Sequence, residues 1–113
     1  MHTEFTLKKI LKTIVACYKQ VYGDSLHTVY LYGSYARGDY DNESDIDIVA
    51  IVDGNRLELQ KKLKEVWDVA DELDLEYGVI VSPTVIPLDE FNRYKEDLPY
   101  YANIAKEGIE MSA

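Results

Sequence analysis

The residues best suited to chemistry lie in one stretch, Gly33-Ser34-Tyr35-Ala36-Arg37-Gly38-Asp39-Tyr40-Asp41-Asn42-Glu43-Ser44-Asp45-Ile46-Asp47. The pattern is Gly-Ser, ten residues, then Asp-x-Asp. Asp45 and Asp47 fall at the start of an expected strand. Side chains two apart on a strand share a face, roughly 6.5–7 Å apart at Cα. Two carboxylates that close repel each other and resist burial. A divalent cation relieves that conflict, and magnesium is typically held by one or two carboxylates together with substrate phosphates. A pair of such ions about 3.5–4 Å apart can activate an attacking oxygen and stabilise a leaving one. Gly33 would let a phosphate approach the backbone closely, and Ser34 adds a hydroxyl and an N–H. If residues 35–37 open a helix, its N-terminus also favours an anion. Arg37 is a candidate for the outer phosphates, with a surface ion pair as the other reading.

Two rival readings fail on spacing. The alternating acids from Asp39 to Asp47 suggest a calcium loop, but that loop needs Gly at its sixth position and Glu at its twelfth. Counted from Asp39, those positions hold Ser44 and Ala50. The ATP-binding loop ending in Gly-Lys-Ser/Thr needs a lysine, and Arg37-Gly38-Asp39 has none.

The elements that must position these residues follow from periodicity. Residues 6–22 read as an amphipathic helix, with Leu7, Ile10, Leu11, Ile14, Val15 and Tyr18 on one face and Lys8, Lys9, Lys12 and Lys19 on the other. Gly23-Asp24 ends it. Residues 28–32 are a β-branched and aromatic run, a strand that Gly33-Ser34 breaks. Residues 45–52 are nearly all apolar, the mark of a central strand buried on both faces. A second long helix is expected over 57–73, with Leu59, Leu63, Val66, Trp67 and Ala70 inward. A third strand is expected over 75–82, limited by Pro83, with a short extended piece at 84–87. Residues 88–91 can start a helical turn. A last helix over 100–108 would turn Tyr101, Ile104 and Ala105 inward and stop at Gly108. The fold class is α/β (α+β), one domain over residues 1–113, with a mixed sheet and helices packed mainly on one side.

Composition narrows the function. The chain has 113 residues and a formal net charge of −9, and its basic residues are scattered on helix faces. Direct nucleic-acid binding, which needs a phosphate-neutralising stripe, is not expected. A basic protein partner would be electrostatically welcome. No apolar run reaches the ~20 residues of a membrane helix, no secretory signal is visible, and the single Cys17 reads as a reduced core residue. The expected location is cytoplasmic. The ten tyrosines read as boundary packing, with the ring buried and the hydroxyl wet.

Gly33-Ser34, ten residues, Asp45-Ile46-Asp47 resembles the signature of the DNA polymerase beta-type nucleotidyltransferase superfamily. The fuller string, with Ile80-Val81-Ser82-Pro83 and the tail from Tyr100 to Gly108, is similar to its small prokaryotic branch, the minimal nucleotidyltransferases with the MntA-like antitoxins. The likeness covers nearly the whole chain. It implies metal-dependent transfer of NMP from NTP to an acceptor, with pyrophosphate leaving. Gly33 and Ser34 would hold the triphosphate, and Asp45 and Asp47 would bind Mg²⁺. ATP is the implied substrate. The implied partner is a HEPN-type toxin, held in a hetero-oligomer and silenced by AMP on a tyrosine. The superfamily usually places a third carboxylate on the next core strand. Near the expected position stands Gly78, which cannot serve; Glu76 is the candidate, with Asp74 behind it, or else no third acid exists. Two alternatives stand beside the enzyme reading. One is a binding module that neutralises its partner by occlusion. The other is a transferase acting on a small molecule, which a short chain is poorly equipped to enclose.

Overall fold

The computed structural model describes residues 4–41 and 44–111. The elements are α1 (Glu4–Tyr22), a 3-10 turn (Gly23–Ser25), β1 (Leu26–Tyr32), α2 (Ser34–Arg37), β2 (Ile46–Val52), α3 (Arg56–Tyr77), β3 (Val81–Pro87), α4 (Leu88–Tyr94), α5 (Pro99–Glu107) and β4 (Ile109–Met111). They form one mixed sheet in the order β3-β2-β1-β4. β2 runs antiparallel to β1 and parallel to β3. The parallel step requires a crossover, which α3 supplies.

The larger core lies between one sheet face and the helices α1 and α3. There Ile46, Ile48, Ala50 and Val52 meet Ile10, Ile14, Tyr18, Leu59, Leu63 and Val66. On the opposite face the shorter α4 and α5 cover a small cluster of Val49, Ile51, Ile86, Phe91 and Ile104. β2 is thus covered on both faces, as its unbroken apolar run requires. Asn55 starts α3 by accepting from the N–H groups of Leu57 at 3.0 Å and Glu58 at 3.4 Å. Among the described residues no helix is long and apolar enough to cross a membrane.

A buried phenol joins β2 to β3. The Tyr18 hydroxyl accepts from the Thr84 N–H at 3.1 Å. It lies 3.0 Å from the Ile48 carbonyl and 2.8 Å from the Thr84 carbonyl, donating to one of them at a time. It sits where the two strands would otherwise bond directly, next to Pro83, which has no N–H to give. Pro83 is tolerated because β3 is an edge strand.

Four local expectations are corrected. The strand expected over 75–82 is not there: α3 continues to Tyr77 and β3 occupies Val81–Pro87. Buried Leu73 and core-packed Tyr77 keep the helix going. Gly78 then stops it, left-handed at φ 67°, its N–H donating to the Asp74 carbonyl at 2.8 Å. Trp67 is 46% exposed rather than inward, because the buried stripe of α3 runs through Leu59, Leu63, Val66, Ala70 and Leu73. Ala105 is exposed, while its neighbour Ile104 is fully buried. Cys17 lies at the core margin, half-buried, its thiol pushed up by burial and then by Glu65.

Candidate functional site

The site forms where β1 ends and β2 begins. Gly33 leaves β1 at φ 78°, ψ −150°, a backbone region essentially closed to residues with a Cβ. The chain then coils at once into α2. The Gly33 carbonyl accepts from the N–H groups of Ala36 at 3.0 Å and Arg37 at 3.1 Å. The Ser34 hydroxyl makes no hydrogen bond among the described residues. Tyr35 is buried under this turn and stacks on Tyr40, with centroids 4.1 Å apart. The Gly-Ser turn therefore has a fixed floor, with Gly33 buried and Ser34 half-buried.

Asp47 lies directly against the turn. A Cβ placed on Gly33 would stand 2.8 Å from Asp47 Oδ2. The missing side chain of Gly33 is thus the space that the carboxylate fills. Ile46 begins β2, so Asp45 stands one residue ahead of the strand and is exposed. Asp47 is half-buried, and its carboxyl is held above the usual range, first by burial and then by the charge of Asp45. An acid penalised in this way gains from a cation between the pair.

The register shows what flanks Asp47. Its partner on β1 is Tyr32 and its partner on β3 is Ser82, and partners directly opposite share a sheet face. Tyr100, from the first turn of α5, meets the Tyr32 ring edge-on at a centroid distance of 5.8 Å. Burial, then Tyr32 and Asp47, raises the Tyr100 phenol. Gly33, Ser34, Asp45, Asp47, Tyr32, Ser82 and Tyr100 thus surround one end of the sheet.

Two candidates from the sequence fall elsewhere. Glu76 is exposed on the last turn of α3 rather than on a strand beside Asp47. Asp74 is exposed on the same helix. Among the described residues no three His, Cys, Asp or Glu side chains gather where they could hold a metal. The residue that β3 places beside Asp47 is Ser82, a hydroxyl. Arg37 ends α2, and its guanidinium pairs with Asp39 at 3.2 Å and Glu107 at 3.9 Å. Tyr32, Ser82 and Tyr100 were not legible as site residues. A strand displaced by six residues hid the register of Ser82, and only tertiary folding brings Tyr100 near Asp47.

Comparison with known proteins agrees with this geometry. A family profile described as a nucleotidyltransferase domain matches residues 7–110. Two proteins of Methanocaldococcus jannaschii, each named "Putative protein adenylyltransferase", are similar to the chain. One is 35% identical over 101 residues, spanning 89% of this chain and 93% of its own. The other is 34% identical over 77 residues, spanning 68% and 76%. In fold, the chain resembles a crystal structure of a toxin–antitoxin with AMP-PNP, at a TM-score of 0.50 and 18% identity, over 96% of this chain and 72% of that one. A mutant of the MntA–HpeT toxin–antitoxin matches at a TM-score of 0.50 and 16% identity, over the same shares. With the match running almost from end to end and the Gly-Ser turn folded onto its aspartate, the chain belongs to the nucleotidyltransferase domain family.

Proposed function

We propose that this nucleotidyltransferase transfers AMP from ATP to a tyrosine hydroxyl of a HEPN-type toxin and so acts as the antitoxin of a toxin–antitoxin pair. The observation that carries the reading is the packing of Asp47 Oδ2 against Gly33, which brings a phosphate-accepting turn and a carboxylate pair into contact. The names of the relatives support a protein as acceptor. The toxin–antitoxin neighbours, whose likeness is one of fold, are consistent with a toxin as that protein.

The donor set suits Mg²⁺. Two adjacent carboxylates, one of them burdened by burial and by the other's charge, leave the remaining positions to phosphate oxygens and water. When bound, the ion would draw negative charge from the triphosphate and from the acceptor oxygen. The chain's own residues do the rest. Gly33 makes room for the Asp47 carboxylate, and Ser34 donates to the triphosphate. Asp45 and Asp47 would hold the ion that meets the phosphate oxygens. The acceptor oxygen bonds to the α-phosphorus, the bond from that phosphorus to the bridging oxygen breaks, and pyrophosphate departs with the electron pair. The phenolic proton passes to solvent. Arg37 can join the outer phosphates at low cost, because exposed ion pairs such as those with Asp39 and Glu107 are worth about 0–1 kcal/mol.

The hydroxyl of Ser82 beside Asp47 favours a second reading. With no carboxylate there to accept the acceptor's proton, transfer would be slow, and neutralisation would come from occupying the partner. One experiment separates the two. The toxin is co-expressed with this chain or with its Asp45→Asn/Asp47→Asn variant, and its intact mass is measured. A gain of AMP units that the variant abolishes supports transfer. An unmodified toxin in a stable, inactive complex supports occlusion and refutes the enzymatic antitoxin.

A further inference from the structure

We propose that Tyr100 is a self-modification site, at which this chain transfers AMP from ATP to its own phenolic oxygen. The inference rests on the adenylyltransferase reading and adds an acceptor within the enzyme. Tyr32 and Asp47 are register partners on β1 and β2, so both side chains leave the same sheet face. The Tyr100 ring packs edge-on against Tyr32, at 5.8 Å and 89°. An acceptor of the required chemical class therefore stands on the sheet face that Asp47 shares, with no partner needed to deliver it.

Several other tyrosines near the core are committed elsewhere. The Tyr18 hydroxyl is held by β2 and β3, and that of Tyr22 donates to the Leu59 carbonyl at 2.7 Å. The Tyr101 hydroxyl donates to Glu90 at 2.6 Å. Tyr35 is buried, and Tyr32 is more covered than Tyr100. Tyr100 is 46% exposed, and its hydroxyl has no hydrogen-bond partner among the described residues. Pro99 at the start of α5 fixes the backbone just ahead of it, so the ring is presented from a stiff first turn. Holding a nucleophile beside the reacting group in this way replaces a bimolecular encounter with an intramolecular one.

The step balances without a further reagent. The Tyr100 oxygen forms a bond to the α-phosphorus of ATP, and the bond from that phosphorus to the bridging oxygen breaks. Pyrophosphate carries off the electron pair, and the phenolic proton goes to solvent. The attached nucleotide then lies on the sheet face that Asp47 shares.

The test uses the purified full chain with ATP and Mg²⁺ and no partner, followed by intact mass and peptide mapping. A parallel reaction contains the toxin. The expected result is a gain of one AMP mapped to Tyr100. It should be absent in Tyr100→Phe, which keeps the ring and its contact with Tyr32, and absent in Asp45→Asn/Asp47→Asn. Its rate per molecule should not change on tenfold dilution. If the toxin gains AMP while this chain does not, the proposal is overturned and the adenylyltransferase reading stands. AMP on another residue, a gain that survives Tyr100→Phe, or a rate proportional to protein concentration overturns it as well. If neither protein gains mass, the adenylyltransferase reading has failed and takes the proposal with it.

Discussion

Replacing Gly33 with alanine probes the contact on which the site is built. Two penalties add. The backbone at φ 78°, ψ −150° is one that a residue with a Cβ holds only at about 1–3 kcal/mol. The new methyl would also stand 2.8 Å from Asp47 Oδ2. Comfortable contacts begin near 3.5 Å, so the carboxylate must retreat by roughly half an ångström or more. The loss of stability, roughly 5 °C in Tm per kcal/mol, leaves the chain folded at room temperature, because domains of this size have about 5–15 kcal/mol in hand. Activity suffers more, since a misplacement of about 1 Å at a reacting centre can cost on the order of 100-fold. Gly78→Ala is the control. That residue is also left-handed, at φ 67°, but nothing lies within 4 Å of its Cβ position. It should lose about 1 kcal/mol from the left-handed backbone alone and keep full transfer. Urea denaturation gives the stability of each variant, and toxin mass gain per unit time gives its activity. Wild-type transfer by Gly33→Ala, with no more instability than Gly78→Ala, would refute the claim that Gly33 is glycine for the sake of Asp47.

Three further outcomes follow from the structure. Burial and Asp45 raise the Asp47 carboxyl, so the folded state holds that proton more tightly than the unfolded chain does. The ionised form therefore weighs against the metal-free fold at neutral pH, and the burden lifts as pH falls through the raised value. Asp47→Asn should accordingly be more stable than wild type in EDTA at pH 7, with the difference shrinking in acid; urea melts at two pH values check the sign. Tyr18→Phe removes the phenol shared by the Thr84 N–H and the Ile48 carbonyl. It should cost about 1–3 kcal/mol, read by chemical denaturation, because the groups left behind are partly buried. Glu76→Gln should leave toxin adenylylation unchanged within twofold in a time course, since the residue is exposed on the last turn of α3. A large loss there would restore it as the third acid.

The parts of this molecule that could be read from its sequence are those where local chemistry and tertiary role agree. β2 is an apolar run because both faces are covered, and its two aspartates stand at its start because a sheet end is where charge can meet water. Gly33-Ser34 reads as a turn because no other residue suits that backbone. The reading failed over residues 75–82, where local propensity and tertiary role part. Val79, Ile80 and Val81 look like strand, yet Tyr77 packs on the core as helix and Gly78 is the left-handed stop. β4 was missed because three residues beyond Gly108 carry no periodicity; their strand conformation comes from pairing with Val29, Tyr30 and Leu31. That displacement decided the functional question most dependent on it. A third acid sought by position along the chain pointed to Glu76, whereas the sheet register places Ser82 beside Asp47. The carboxylate pair is local and legible, and its surroundings are a property of strand register and helix docking. What distinguishes this site, two acids flanked by Tyr32, Ser82 and Tyr100, therefore arises only when β1, β2, β3 and α5 come together.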